Sequence, residues 1–210
     1  MNYYAMFDVL KSHLPKNCIV VSEGANTMDI SRSMIANHLP KHRLDAGTFG
    51  TMGVGVGFAI AASLYAADQA KKTGNPQEQV VCIQGDSAFG FSGMELETVC
   101  RYKLPIVFVI VNNNGIGFGA GEDFWNTLQT TDDVALGSIP TFLSPNAHYE
   151  MIMKAFGGDG YFCTTPNGLD EAFARSLSRA QDHPSLINVM IDTSSSRKQQ
   201  EFTWLTRSKM

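Results

Sequence analysis

The sequence predicts an α/β fold in which a parallel sheet is covered by helices on both faces. Three observations predict it. The runs VVCIQ (residues 80–84) and IVFVIV (residues 106–111) are apolar without alternation, as strands buried on both sides must be. Strand-like runs alternate with stretches of helical spacing along the chain, the order of βαβ units, which cross over right-handed. The apolar runs end in polar, glycine-bearing loops, and ligands of parallel sheets bind beyond the carboxyl ends of the strands.

Taken in order, residues 18–22 (CIVVS) form a short β-branched run that ends at Glu23-Gly24. Residues 26–37 have helical spacing, with Ile30, Met34 and Ile35 on one face. Residues 53–67 read as a helix of small side chains, and residues 80–84 as a buried strand. Ser92 opens the next helix, which reaches about Arg101. Ser92 and Glu95 match the capping-box pattern S-x-x-E, and Leu104-Pro105 stops the helix before strand 106–111. Helices follow near residues 149–156 and 169–181. A last strand, residues 186–191, leads into a polar tail. The expected organisation is one domain over residues 1–193 and a tail over 194–210.

A chain of 210 residues suits one such domain, which can bury roughly 70% of its unfolded surface. Charged residues are 17%, against about 25% in ordinary soluble domains. Low charge leaves apolar surface to hide, which implies a large interface with another domain or subunit; a charge-poor monomer has the same composition. The net charge of -4 without a basic stripe argues against a nucleic-acid partner. The apolar stretch 53–67 is shorter than the ~20 residues a membrane span needs. The N-terminal sequence lacks the basic and apolar regions of a secretory signal. Cys18, Cys82, Cys100 and Cys163 show no C-x-x-C spacing, so they are expected to be reduced and mostly buried.

The chemistry concentrates at two strand ends. Residues 80–84 end in Gly85-Asp86-Ser87-Ala88-Phe89-Gly90, and residues 106–111 end in Asn112-Asn113-Asn114-Gly115. Adjacent parallel strands would put Asp86 and Asn113 at one edge. A carboxylate, a carboxamide oxygen and a backbone carbonyl are hard donors that suit Mg²⁺, which completes its octahedron with phosphate oxygens and water. The loop GDSAFG can also aim backbone N–H groups at a phosphate. No Lys follows it, so it is not a G-x-x-x-x-G-K-[ST] loop, and a metal would have to supply the positive charge. Taken singly, each loop is also what an ordinary turn at a strand end looks like. Gly53-Val54-Gly55-Val56-Gly57 lacks the spacing and preceding strand of a dinucleotide fingerprint. Gly90-Phe91-Ser92-Gly93 is not a nucleophile elbow, because Met94 stands where the second Gly belongs. None of the five His residues falls in a motif with Ser or Cys, so solvated or capping roles are expected for them.

The segment GDSAFGFSGMELETVCRYKLPIVFVIVNNNG resembles the signature of thiamine-diphosphate enzymes: Gly-Asp-x, a helix, a strand, then Asn-Asn. Ser87 replaces the commoner third Gly, which is similar to the branch holding oxalyl-CoA decarboxylase and 2-hydroxyacyl-CoA lyase. SEGANTMDISR (residues 22–32) and RLDAGTFGTMGVGVGFAIAA (residues 43–62) also look like that branch. The resemblance implies the thiamine-diphosphate-binding fold, with Mg²⁺ held by Asp86, Asn113 and the Gly115 carbonyl. Ser87 and Ala88 would offer backbone groups to the diphosphate, with Gly85 beside them among the cofactor-binding residues. Met52 would be the apolar wedge between the two cofactor rings, although it also reads as an ordinary core Met. The Gly50 carbonyl would face the aminopyrimidine.

The implied reaction cleaves a 2-hydroxyacyl-CoA to formyl-CoA and an aldehyde, as in fatty-acid α-oxidation. Oxalyl-CoA decarboxylation and a non-catalytic, truncated cofactor-binding or association module are the alternatives. Relatives carry a pyrimidine-binding domain whose Glu activates the cofactor, and Glu23, Glu95 and Glu97 do not match it. The catalytic residue is therefore expected on a partner chain, with the full-length form a homo-oligomer. Relatives often place a Tyr where this chain has Gly117, within a loop of four glycines from Gly115 to Gly121. The C-terminal Ser208-Lys209-Met210 is a conservative variant of the S-K-L address, which implies a peroxisomal import receptor as partner and a peroxisomal location.

Overall fold

The computed structural model describes residues 1–130, 139–181 and 183–198. Helix α1 (Tyr3–His13) precedes β1 (Ile19–Glu23), α2 (Ala25–Met34), β2 (Arg43–Asp45), α3 (Gly55–Thr73) and β3 (Val80–Gly85). A short helix α4 (Asp86–Phe89), a 3-10 turn (Gly93–Glu95) and α5 (Leu96–Arg101) lead to β4 (Ile106–Asn112). Then come α6 (Glu122–Gln129), α7 (Glu150–Ala155), β5 (Asp159–Cys163), α8 (Pro166–Arg179) and β6 (Ser185–Met190). The six strands form one sheet in the order β2-β1-β3-β4-β6-β5, and every neighbouring pair is parallel.

The two-residue period of the strands sorts the core into two halves. Val81, Ile83, Val107 and Val109 pack with Phe7, Ile30 and Phe173 of α1, α2 and α8. Cys82, Phe108 and Ile110 pack with Val56, Phe89, Leu96 and Met153 of α3, α4, α5 and α7. Every residue of β4 is buried, as its unbroken apolar run requires. The α/β sheet with helices on both faces is the expected architecture.

Helix ends follow local chemistry. Asn2 Oδ1 accepts the Ala5 N–H at 2.9 Å to start α1. Thr165 Oγ1 accepts the Gly168 N–H at 3.2 Å, with Pro166 in the first turn of α8. Helix α3 runs past residue 67 to Thr73 and stops at Gly74, whose φ of 74° is left-handed.

The capping box at Ser92 does not form. The Glu95 N–H donates to the Ser92 backbone carbonyl at 3.0 Å inside the 3-10 turn, so it is not available to the hydroxyl. Ser92 Oγ is buried with no partner among the described residues. Five elements go beyond the sequence reading: α1, the short α4, α6 and the edge strands β2 and β5. The two strands are short and partly exposed, so neither carries a periodic apolar signal.

The four cysteines are free; Cys18, Cys82 and Cys163 are buried and Cys100 half-buried. No helix among the described residues is long and apolar enough to cross a membrane. Exposed apolar side chains include Phe49 at 97%, Met94 at 70% and Phe91 at 69%, in keeping with the low charge fraction. The start of the tail lies back on α1 and α2: Arg197 Nη1 donates to Asp29 at 2.7 Å and the Lys198 N–H to Tyr4 Oη at 2.8 Å. Ser208-Lys209-Met210 lies outside the described residues.

Candidate cofactor and metal site

The chain leaves β1 for α2 on one face of the sheet and leaves the neighbouring β3 for α4 on the other. This divergence opens a crevice at the carboxyl ends of the strands, the place where open α/β sheets bind ligands. The two backbones approach closely there. Gly24 has φ 94°, and a Cβ on it would lie 3.3 Å from the Gly85 nitrogen.

Gly85 is level with Val111 in the β3–β4 register, so Asp86 emerges beside Asn112 and Asn113. Asp86 is 2% exposed. Its Oδ2 accepts the N–H groups of Asn113 at 3.2 Å and Gly115 at 3.1 Å, and its Oδ1 accepts that of Ser87 at 2.7 Å. Burial pushes the carboxyl up to about 6, and these backbone donors offset only part of that cost. A cation at this point would offset the rest. The Asn113 amide donates to the Gly117 carbonyl at 2.9 Å, which leaves Oδ1 as the acceptor end of that side chain. No cluster of three or more His, Cys, Asp or Glu gathers among the described residues. One carboxylate, one carboxamide and one backbone carbonyl lack the nitrogen and sulfur donors of zinc sites and are fewer than the roughly six to eight oxygens that calcium takes. They fit Mg²⁺, which takes few protein oxygens and keeps positions for phosphate and water.

The loop after β4 is tied to itself. Asn114 donates to the Ala120 carbonyl at 3.1 Å, and a Cβ on Gly119 would lie 1.7 Å from the Asn113 carbonyl oxygen. Only glycine permits that crossing. Behind the loop runs a buried polar chain. The Asn114 N–H donates to Asn112 Oδ1 at 3.1 Å, Asn112 to Asn188 at 3.2 Å, and Asn188 to Glu150 at 2.9 Å.

Gly85, Asp86, Ser87, Ala88, Asn113 and Gly115 thus meet at one edge. Gly50 and Met52 stand in the turn before α3, which reaches the same edge from the β1 side. A Cβ on Gly53 would lie 3.0 Å from Phe91 Cβ. Met52 is half-buried, and Gly50 has φ 60°. The Ser87 N–H is committed to Asp86 Oδ1.

Sequence reading missed Glu23, Gln84, Asn188 and Glu150. For Glu23 and Gln84 the available signal was a polar residue at the carboxyl end of an apolar strand; Asn188 lies within β6 and Glu150 opens α7, where no such signal exists. Three histidines sit against carboxylates rather than at a nucleophile: His13 with Asp170 at 2.7 Å, His42 with Glu78 at 3.1 Å and His148 with Glu150 at 2.6 Å.

Residues 23–189 match the family model described as "Thiamine pyrophosphate enzyme, C-terminal TPP binding domain". The chain belongs to this family. Human 2-hydroxyacyl-CoA lyase 1 is 54% identical over 210 residues, covering 100% of this chain and 35% of that protein. Oxalyl-CoA decarboxylase of Escherichia coli strain K12 is 42% identical over 194 residues, covering 91% of this chain and 31% of that protein. This member of the thiamine pyrophosphate family therefore spans about a third of the length of these curated relatives. Benzoylformate decarboxylase from Polynucleobacter necessarius superposes with a TM-score of 0.71 at 22% identity, over 93% of this chain and 34% of that one, and so shares the fold.

Proposed function

We propose that the chain is the diphosphate- and Mg²⁺-anchoring domain of a 2-hydroxyacyl-CoA lyase that cleaves 2-hydroxyacyl-CoA to formyl-CoA and an aldehyde. The observation that carries this reading is the 54% identity to the human lyase across all 210 residues. Asp86, Asn113 and the Gly115 carbonyl would hold Mg²⁺. The backbone of Gly85 and Ala88 would take the diphosphate at the start of α4. The Ser87 backbone, whose N–H now donates to Asp86 Oδ1, lies between them and would adjoin the diphosphate. Met52 and the Gly50 carbonyl would support the rings. Thiamine diphosphate, when bound, supplies a nucleophilic carbon and a sink for the electron pair left by carbon–carbon cleavage.

The role of this chain would be to hold the Mg²⁺ that neutralises the diphosphate, orient the rings and exclude water. The proton-transferring Glu would come from the pyrimidine-binding domain of a partner chain, within a homo-oligomer. The exposed Phe49, Phe91 and Met94 beside the crevice suit such a neighbour.

The test is an assay of the purified chain with and without a separately supplied pyrimidine-binding half, given 2-hydroxyacyl-CoA or oxalyl-CoA. The expected result is formyl-CoA and aldehyde from the first substrate, only when both halves are present. Turnover of oxalyl-CoA instead would favour the decarboxylase, a reading that the 42% identity to that enzyme keeps open. No turnover of either would favour a binding or association module. We also propose peroxisomal import through Ser208-Lys209-Met210. A fluorescent protein fused ahead of the chain should enter peroxisomes and lose that location when the three residues are deleted; a diffuse intact fusion would discard the address.

A further inference from the structure

Glu23 is the last residue of β1 and is 0% exposed. Its carboxylate takes four hydrogen bonds. Oε1 accepts the N–H groups of Gly53 and, at 3.0 Å, Val54. Oε2 accepts the Gly55 N–H at 2.9 Å and the Gln84 side-chain amide at 2.5 Å. Gln84 is the parallel-register partner of Glu23. Its own Oε1 is buried without a partner among the described residues, so the amide serves Glu23 at the expense of its oxygen.

Two of the three backbone donors, Val54 and Gly55, are free N–H groups at the start of α3, Gly53 precedes them, and that helix has no side-chain cap of its own. A Ser or Asp at position 54 would cap α3 locally. Such a cap would hold the helix but leave its first turn free to shift over the sheet. Glu23 caps it instead from another strand, 31 positions away, at the crevice between β1 and β3. The cap therefore fixes a position as well as a conformation. Gly55 is shaped for it: a Cβ there would lie 2.5 Å from Glu23 Oε2. At the other end of the turn, Gly47 and Gly50 have left-handed φ with nothing within 4 Å of a Cβ, and Phe49 is exposed. The turn is thus pinned to the sheet at its Gly53–Gly55 end, while its Gly47–Gly50 end is open to solvent and bonded only locally, Gly47 N–H to Asp45 at 2.9 Å and Gly50 N–H to the Ala46 carbonyl at 3.2 Å; Met52 is one residue from the pinned end.

The geometry points to Glu23 as a positioning residue that sets Met52 and its turn beneath the cofactor rings, separate from the Asp86 side that faces the diphosphate. This rests on the reading above that Met52 supports those rings. Two carboxylates at adjacent strand ends would then divide the work. Asp86 answers to the metal and diphosphate, Glu23 to the ring-bearing half.

The experiment compares wild type, Glu23→Gln, Met52→Ala and the double variant, each as the full chain with the separately supplied pyrimidine-binding half. Calorimetry with Mg²⁺ measures affinity for thiamine diphosphate and for inorganic diphosphate, and amide exchange reports Gly53, Val54 and Gly55. In Glu23→Gln the three amides should exchange about tenfold faster or more. Thiamine diphosphate should bind about tenfold more weakly, while inorganic diphosphate is unchanged. Met52→Ala should lower thiamine diphosphate affinity with exchange unchanged, and the double variant should bind no more weakly than Met52→Ala. Equal losses for both ligands would reduce Glu23 to a general structural role and overturn the inference, as would additive losses or unchanged exchange. Should Glu23→Gln fail to fold, Gln84→Met removes one of the four donors and should show a smaller shift of the same pattern. A wild type that binds inorganic diphosphate but not thiamine diphosphate sinks the cofactor reading. The exchange rates still decide whether Glu23 holds the turn.

Discussion

The amino-terminal and carboxyl-terminal ends of the same strands obey different rules. Along β3 and β4 the early residues Val80, Val81, Ile106, Val107 and Phe108 are buried and apolar. At the far ends Gln84, Asp86, Asn112 and Asn113 are as deeply buried, yet each carries charge or an amide. The first set contributes stability through apolar area removed from water. The second costs desolvation, offset by hydrogen bonds to backbone and neighbouring amides. A sheet that was only a scaffold would have no reason to keep the second set. The comparison separates the part that folds the chain from the part that prepares a place for a polar ligand.

The sharpest way to break this comparison is to damage each end separately. Phe108→Ala, in the centre of the sheet, should cost about 3–5 kcal/mol of stability by leaving a cavity. Denaturant unfolding checks this, and a much smaller loss would show that the apolar half is not the stabilising one. Asp86→Ala should do the opposite. Stability should stay within about 1–3 kcal/mol of wild type, since two buried N–H groups lose an acceptor while a buried carboxylate is removed. Mg²⁺-dependent thiamine diphosphate affinity should fall by about 100-fold or more in calorimetry, equivalent to about 2.7 kcal/mol. Unchanged affinity would discard Asp86 as the metal ligand.

Asn113→Ala sharpens the picture with a milder effect. A neutral ligand contributes less than a charged one, so about a tenfold loss of affinity is expected, with a similar unfolding midpoint. A loss equal to that of Asp86→Ala would mean that loop placement, rather than ligand charge, dominates.

The smallest effect belongs to the edge of the sheet. Arg32 donates to both oxygens of Asp45 on β2, at 2.8 and 2.9 Å. This contact, helped by the Gly47 N–H, holds the Asp45 carboxyl below its ordinary value against a modest burial cost. A depressed carboxyl stabilises above the unfolded value near 4 and loses that contribution as pH falls through the folded value. Arg32 is 40% exposed on its side chain, so solvent screening limits the pair to about 1 kcal/mol or less. Arg32→Ala should lower stability by that amount at pH 7 and converge on wild type in acid. A gap that persists at pH 2 would mean that packing of the Arg stem, not the ion pair, is responsible.

How much of this was legible in the residues varies by element. Strands β3 and β4 were plain because both faces are covered and the apolar run is unbroken. The pairing of Asp86 with Asn113 followed from placing them at the ends of adjacent parallel strands. The Ser92–Glu95 pattern misled, because a 3-10 turn diverts the Glu95 N–H to the Ser92 carbonyl. Edge strand β2 has three half-buried residues and no pattern to detect.

The sequence by itself determined the fold class, the two strand-end loops and the residue types that can meet a metal and a diphosphate. Local periodicity and turn chemistry are written in neighbouring residues, so they can be read without coordinates. Only the tertiary structure decided what Glu23 does. Its four donors come from residues 30 to 61 positions away, brought together by the parallel register of β1 with β3 and by the placement of α3 across them. No spacing rule encodes that meeting, because it depends on how three elements pack rather than on the sequence of any one.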